Sequence, residues 1–142
     1  MNPTSVFKAP QGLLRCVVLA YASRYPVTGS EIASDLRAKT SGLWDPSPGS
    51  VYFLMNELRE KNLLVMMNGT GAGRKTYIAT ADGRAELAKA SHGVMTALQR
   101  EVTLLALLVS MVDPGDSERM EVFKSVLSAD AAQVLRIKQL LK

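Results

Sequence analysis

The chain has 142 residues, of which 47% are hydrophobic and 21% charged, a composition that excludes intrinsic disorder. Its net charge is +4, and the whole excess lies in the first ninety residues, where eleven basic residues accompany seven acidic ones. The single cysteine, Cys16, excludes an internal disulfide, and it lies too far along the chain from the single histidine, His92, to form a zinc site with it. The sequence shows no Ser-His-Asp or Cys-His arrangement that would argue for nucleophilic catalysis. We therefore expect a non-enzymatic protein without cofactor or metal, able to bind a polyanion.

The composition also predicts where the protein resides. The N-terminus lacks the charged, apolar and cleavage regions of a signal peptide. The most apolar stretch, residues 102–112, has about half of the ~20 residues that a membrane-spanning helix needs. Since the lone Cys16 requires no oxidising compartment, we expect a cytoplasmic protein without a membrane partner.

The first two predicted helices lie on either side of Pro26. Residues 10–25 have apolar positions at helical spacing and begin with a proline suited to a first turn. Pro26 ends this helix. Thr28 and Glu31 then match a capping box, which predicts that a short second helix begins there.

The third predicted helix begins with Ser47 as N-cap and Pro48 in the first turn. Its apolar residues recur at i, i+3, i+4 and i+7, and they are Val51, Leu54, Met55 and Leu58. The opposite face is small and polar at its N-terminal end. This pattern is typical of a helix whose N-terminal end enters the major groove of DNA.

A β-hairpin is predicted after the third helix, which Asn62 ends. Residues 63–67 and 74–79 are compatible with two strands, and the glycine-rich segment 68–73 between them forms the turn. Arg74 and Lys75 lie beside this turn. Three helices followed by a hairpin predict a winged helix-turn-helix, with the hairpin as the wing.

The rest of the chain is predicted to be helical. A long helix runs from about residue 81 to 112 and stops at residues 113–115, and two further helices occupy 116–127 and 128–141. Four apolar residues of these last helices are expected to be buried: Phe123, Val126, Leu135 and Ile137. The predicted fold is mainly α with a small β-hairpin: a winged helix-turn-helix domain at 1–80 and a C-terminal helical dimerisation region at 81–142.

Three segments resemble the PadR family of transcription regulators: Gly29-Ser30-Glu31-Ile32, residues 42–52 (GLWDPSPGSVY) and residues 73–84 (GRKTYIATADGR). The resemblance covers roughly residues 13–87. It implies a homodimer held by the C-terminal helices and control of transcription, usually repression, sometimes relieved by a small molecule. The chain departs from the family pattern at Phe53, commonly proline, at Ser30, commonly tyrosine, and at Asn56-Glu57, often a basic pair.

The resemblance and the predicted elements together suggest three sets of site residues. Contacts to double-stranded DNA are expected from Ser30, Ser47, Gly49, Ser50, Tyr52, Phe53, Asn56, Arg74, Lys75 and Tyr77. The dimer interface is expected at Leu98, Val102, Leu105, Val109, Val134, Ile137 and Leu141. Trp44 and Met95 are candidates for an effector pocket, although the sequence favours an anchor for its loop in the case of Trp44 and a core filler in that of Met95.

The predicted function is sequence-specific binding of double-stranded DNA and transcription regulation, as a homodimeric repressor at a two-fold operator. The alternative is a winged-helix module that binds protein without sequence-specific DNA binding. Acidic residues across the outer face of the third helix would favour that alternative. Glu57 and Glu60 lie late in the helix, and Lys75 lies on the wing, so the balance favours DNA.

Overall fold

The computed structural model describes residues 8–68, 75–111, 115 and 117–141, with side chains 68, 119, 122–123 and 126–134 outside the description. The helices and strands, in chain order, are α1 Leu13–Arg24, α2 Gly29–Lys39, α3 Pro48–Glu60, β1 Leu64–Asn68, β2 Lys75–Ala79, α4 Ala81–Ser110 and α5 Ser117–Leu140. The mainly α fold with one hairpin is thus confirmed. The chain divides into two compact units, Met1–Leu98 and Gln99–Lys142.

The first unit is built around one hydrophobic core. Each of its first three helices turns an apolar stripe inward, and the hairpin covers the remaining side. The largest fully buried side chains are Val18, Leu19, Val27, Ile32, Val51, Met55, Leu58 and Leu64. Each such side chain stabilises the fold by about 1.5–3 kcal/mol relative to an exposed position. Cys16 is buried as well, as a free thiol within this core.

Local capping signals determine where α2 and α3 begin. The Thr28 hydroxyl accepts a hydrogen bond from the Glu31 N–H at 3.1 Å, and the Glu31 carboxylate accepts from the Thr28 N–H at 2.9 Å. Ser47 accepts from the Ser50 N–H at 3.1 Å, with Pro48 in the first turn. Both predicted helix starts are confirmed, because these side chains satisfy N–H groups that the helix cannot satisfy itself.

The end of α3 directs the chain into the wing. Asn62 has φ 60°, the left-handed conformation, which asparagine tolerates better than most residues. The Leu63 N–H donates to the Leu58 carbonyl at 2.9 Å, and the Asn62 N–H to that of Arg59 at 3.0 Å, the two bonds of a Schellman motif. The prediction that Asn62 closes the helix is confirmed.

The hairpin is antiparallel, with register from Leu64 opposite Ala79 to Asn68 opposite Lys75. It is also tied to the connection between α1 and α2. The Val27 N–H donates to the Tyr77 carbonyl at 3.1 Å, and the Tyr77 N–H donates to the Val27 carbonyl at 2.9 Å. The wing therefore has a fixed base against the helices.

The first unit extends into α4, beyond the predicted boundary after residue 80. The Thr80 hydroxyl accepts from the Gly83 N–H at 3.0 Å and donates to the Asn62 carbonyl at 2.7 Å. Leu87 packs against the core, and Val94 is buried. These contacts make the first half of α4 part of the winged-helix unit.

The second unit departs from the sequence expectation in two ways. One helix, α5, replaces the two expected at 116–127 and 128–141, because no proline or glycine interrupts this segment and residues such as Ser128 cost a helix interior only a few tenths of a kcal/mol. Leu135 and Ile137, expected to be buried, are 57% and 55% exposed in the single chain. The Phe123 and Val126 side chains and the expected stop at residues 113–114 lie outside the described residues.

Helix α4 also corrects the estimate of apolar length. An 18-residue window within Ala81–Ser110 has mean hydropathy 1.3 and is 6% buried, so by length and composition alone it meets the criterion for a membrane span. The sequence estimate counted only residues 102–112, whereas the apolar part of the helix starts earlier. An exposed apolar surface of this kind on α4 can be covered by a protein partner as well as by lipid, because either removes it from water.

Candidate nucleic-acid interface

The outer face of α3 is the centre of the candidate interface. Val51, Met55 and Leu58 turn into the core, so the opposite side of the helix faces solvent. Its exposed residues are Gly49, Ser50, Phe53 and Asn56, followed by the acidic Glu60 in the last turn. The first turn contains no acidic residue, and the N-terminal end of a helix carries a partial positive charge that favours phosphate.

Tyr52 lies at the edge of this face and joins α3 to the start of α2. Its ring covers Gly29, where a Cβ would lie 3.0 Å from ring carbon Cδ2. The absence of a side chain at Gly29 therefore lets the two helices approach. The ring is half-buried by this contact, and the neighbouring Ser30 is exposed at the N-terminus of α2. Sequence analysis included Tyr52 and Ser30 but missed Gly29, whose role depends on a contact between two helices.

Tyr77 does not belong to the exposed surface, contrary to expectation. Its ring is 3% exposed and packs into the core between the hairpin and the helices. Its hydroxyl lies 3.5 Å from Asn56 Oδ1, a long hydrogen bond. Tyr77 can therefore influence a DNA contact only through the orientation of Asn56.

The wing supplies the exposed cation Lys75 at the start of β2, opposite Asn68. Arg74, the other predicted wing contact, lies outside the described residues. Ser47, also predicted, is exposed, and its Oγ lies 2.8 Å from that of Ser50, so both hydroxyls take part in capping α3. Lys75, the start of α3 and Ser30 at the start of α2 are thus exposed groups of the described residues that a phosphate can approach.

The sequence profile of the transcriptional regulator PadR-like family matches residues 18–89, about half of the chain, and spans α2, α3 and the wing. The chain belongs to this family.

Solved structures share the same fold. A PadR-like transcriptional regulator from Bacillus cereus is 24% identical, with TM-score 0.57 over 67% of this chain and 93% of its own. A PadR family transcription regulator from Clostridium difficile is 18% identical, with TM-score 0.53 over 66% and 99%. A transcriptional regulator from Clostridium thermocellum is 18% identical, with TM-score 0.53 over 80% and 100%. No curated protein matches the chain.

Membership of the PadR-like family and the winged-helix fold identify DNA-binding transcription regulation as the general function.

The charged residues near α2 and α3 are partly neutralised within this fold. Lys61 Nζ lies 3.2 Å from the Glu57 carboxylate, which draws that acid towards the C-terminal end of α3. Within the described part of the chain, no group of three or more His, Cys, Asp or Glu side chains is placed to hold a metal ion.

A second charged cluster joins α1 to α2. The Asp35 carboxylate accepts from Lys39 Nζ at 2.8 Å and from the Tyr21 hydroxyl. The hydrogen bond from Lys39 is the main cause of the lowered pKa of Asp35, and the same bond raises the pKa of Lys39. Burial is the main cause of the raised pKa of Tyr21. Lys39 is therefore engaged by its own helix, which leaves it a weaker candidate for phosphate than Lys75.

The two candidates for an effector pocket have different environments. Trp44 packs partly buried against the core of the PadR-like domain. The backbone N–H of Trp44 donates to the Thr40 hydroxyl at 3.0 Å, and that hydroxyl lies 3.2 Å from the backbone carbonyl oxygen of Trp44. These contacts favour the interpretation of Trp44 as a loop anchor. Met95 is 65% exposed on α4, so it is not core filler within the single chain.

The residues predicted for a dimer interface are at least partly exposed wherever the structure describes their side chains. In α4, Val102 is 65% exposed, whereas Leu98, Leu105 and Val109 are half-buried. Ile137 and Leu141 are exposed at the end of the chain. The Val134 side chain lies outside the described residues.

Proposed function

We propose that the chain is a homodimeric repressor that binds a two-fold operator in double-stranded DNA through α3 and the wing. The observation that carries the proposal is the outer face of α3, where Gly49, Ser50, Phe53 and Asn56 are exposed opposite the buried stripe. Small residues at the start of this face allow the helix to approach the floor of the major groove. Side chains later in the helix then contact base edges.

Phosphate contacts complete this mode of binding. Ser30 is exposed at the start of α2, which packs against α3. Lys75 is exposed beside the turn of the wing, on the strand paired with β1. Arg74 adds a second wing cation from the sequence. Such contacts position the domain along the backbone, whereas the outer face of α3 supplies the sequence preference.

The homodimer is proposed because the C-terminal helices carry apolar surface that the single chain leaves in water. The exposed members include Val102, Leu104, Leu107, Leu108, Ile137 and Leu141. A second copy covers such a surface by the hydrophobic effect and presents two recognition helices to a two-fold site. This interpretation accounts for the apolar length of α4 without a membrane and places the protein in the cytoplasm with its DNA.

Repression follows if the dimer occupies an operator that overlaps a promoter. We extend the proposal to relief of repression by a small molecule. Trp44 is the sole tryptophan and lies in the loop before α3, so quenching of its fluorescence is a direct test for such a ligand. A ligand that quenches Trp44 and releases the operator supports this extension, and one that quenches without release contradicts it.

The test of DNA binding is fluorescence anisotropy of the full chain with duplexes from its own upstream region and a random duplex, over a salt series. We expect tighter binding to one upstream duplex, a steep salt dependence and two protomers per site. Lys75→Ala should reduce the salt slope by about one unit, while Lys138→Ala, which removes the same charge from α5, leaves it unchanged. Equal, weak binding to every duplex would instead favour the protein-binding alternative.

The dimer is tested separately. Sedimentation equilibrium of the wild-type chain should give twice its mass of 15.4 kDa. Val102→Glu introduces a charge on the exposed apolar face of α4 and should yield monomers with an unchanged helical spectrum. A monomeric wild type would refute the proposed interface.

A further inference from the structure

One side chain on α3 has no role in the fold. Phe53 is 75% exposed, at the centre of the face opposite the buried stripe of Val51, Met55 and Leu58. One turn before it lie Gly49 and Ser50, which are too small to cover an aromatic ring. The ring therefore gains little from its own chain and stands out as the first large side chain of the outer face.

The remaining side chains of this face restrict what α3 can read. Arg or Lys bound to guanine is the commonest specific contact in the major groove, but the only basic residue of α3 is Arg59, in its last turn. The Ser50 hydroxyl is engaged with Ser47 at 2.8 Å, and Glu57 is paired with Lys61. Tyr52 is half-buried over Gly29, so Phe53 and Asn56 are left as the exposed long side chains of this face before the last turn of the helix.

These two residue types select the same base pair. An apolar side chain discriminates bases through the C5-methyl group of thymine, and asparagine pairs with the N6 and N7 atoms of adenine. Phe53 and Asn56 are three residues apart, so they lie one above the other on the helix surface. A face that presents them together, without a cation, matches a thymine and a nearby adenine.

We propose that Phe53 is a specificity-determining residue that packs against a thymine C5-methyl group, so that α3 reads an A·T-containing step in each half-site. The inference rests on the proposed function, because it presupposes that α3 enters the major groove. It adds which chemical group of the DNA is read and which side chain reads it.

The experiment begins with selection of duplexes from a library with a randomised central segment by the full wild-type chain. In the best-bound duplex, each thymine of one half-site is replaced singly by deoxyuridine, which removes only the C5-methyl group. Affinities of wild type, Phe53→Ala and Phe53→Leu are measured by anisotropy, and circular dichroism checks that each variant is folded. Since Phe53 is exposed, neither substitution removes a core contact.

We expect one deoxyuridine position to weaken wild-type binding about fourfold, the effect of losing one buried methyl group. Phe53→Ala should bind the thymine duplex more weakly and be insensitive at that position, and Phe53→Leu should retain part of the sensitivity. Equal sensitivity in wild type and Phe53→Ala, or none in wild type, overturns the inference while sequence-specific binding stands. Failure of the wild type to enrich any duplex overturns the proposed function, and the inference with it.

Discussion

Gly83→Ala tests the junction that joins the wing to α4. Gly83 is buried in the first turn of α4, and a Cβ there would overlap the Leu63 carbonyl oxygen, a backbone atom that cannot rotate away. The same carbonyl accepts a hydrogen bond from the Thr80 N–H at 3.1 Å, so a shift of Leu63 also disturbs the start of the helix.

The size of the effect follows from two opposing contributions. Overpacking of this kind costs about 1–3 kcal/mol, and a disturbed hydrogen bond adds about 1 kcal/mol. The higher helix propensity of alanine stabilises the fold by at most about 1 kcal/mol, and by less in a first turn. We expect a net loss of about 1–3 kcal/mol in the free energy of unfolding.

The matched control is Gly93→Ala in the same helix. A Cβ at Gly93 meets no atom within 4 Å, so this variant keeps only the gain in helix propensity, up to about 1 kcal/mol. Urea unfolding followed by Trp44 fluorescence reports on the first unit and measures both variants. If Gly83→Ala proves as stable as Gly93→Ala, the close approach of α4 to Leu63 is refuted.

Three further predictions concern binding and pH. Arg74→Ala combined with Lys75→Ala should flatten the salt slope of DNA binding by roughly two units, and an unchanged slope in the anisotropy series would remove the wing from the interface. Asn56→Ala should cost roughly 1–3 kcal/mol on the best duplex, whereas equal loss on random DNA would indicate a structural role only. Because Lys39 lowers the pKa of Asp35, the stability from this pair is present above the ordinary carboxyl pKa of about 3.9 and is lost as pH falls through the lower folded value. Thermal unfolding from about pH 5 to pH 2 should therefore show less acid sensitivity in Asp35→Asn than in wild type, and identical pH profiles would contradict the pairing.

The sequence predicted well those features that depend on hydrogen bonds and periodicity within a few residues. The caps at Thr28, Ser47 and Asn62 satisfy N–H and carbonyl groups of their own helices, so their effect is readable without the rest of the molecule. The buried stripe of α3 follows in the same way from helical periodicity. The outward position of Phe53 then follows from that stripe, since it lies on the opposite side of the helix.

Positions set by contacts between distant segments were not predictable. Strand β2 alternates its side chains between two faces, and only the packing of the hairpin against the helices decides that Tyr77 faces the core. The contact of the Tyr52 ring with Gly29 and the close approach of Gly83 to the Leu63 carbonyl likewise depend on how the helices pack, which the sequence does not reveal.

The amino-acid sequence by itself determined the order of elements and the recognition helix of this PadR-like regulator, because hydrogen bonding and periodicity within each segment are local. The tertiary structure alone decided which predicted DNA contacts are exposed and how far the first unit extends into α4, through Leu87 and Val94. These features arise when surfaces from separate parts of the chain exclude water together, and no single segment contains that information.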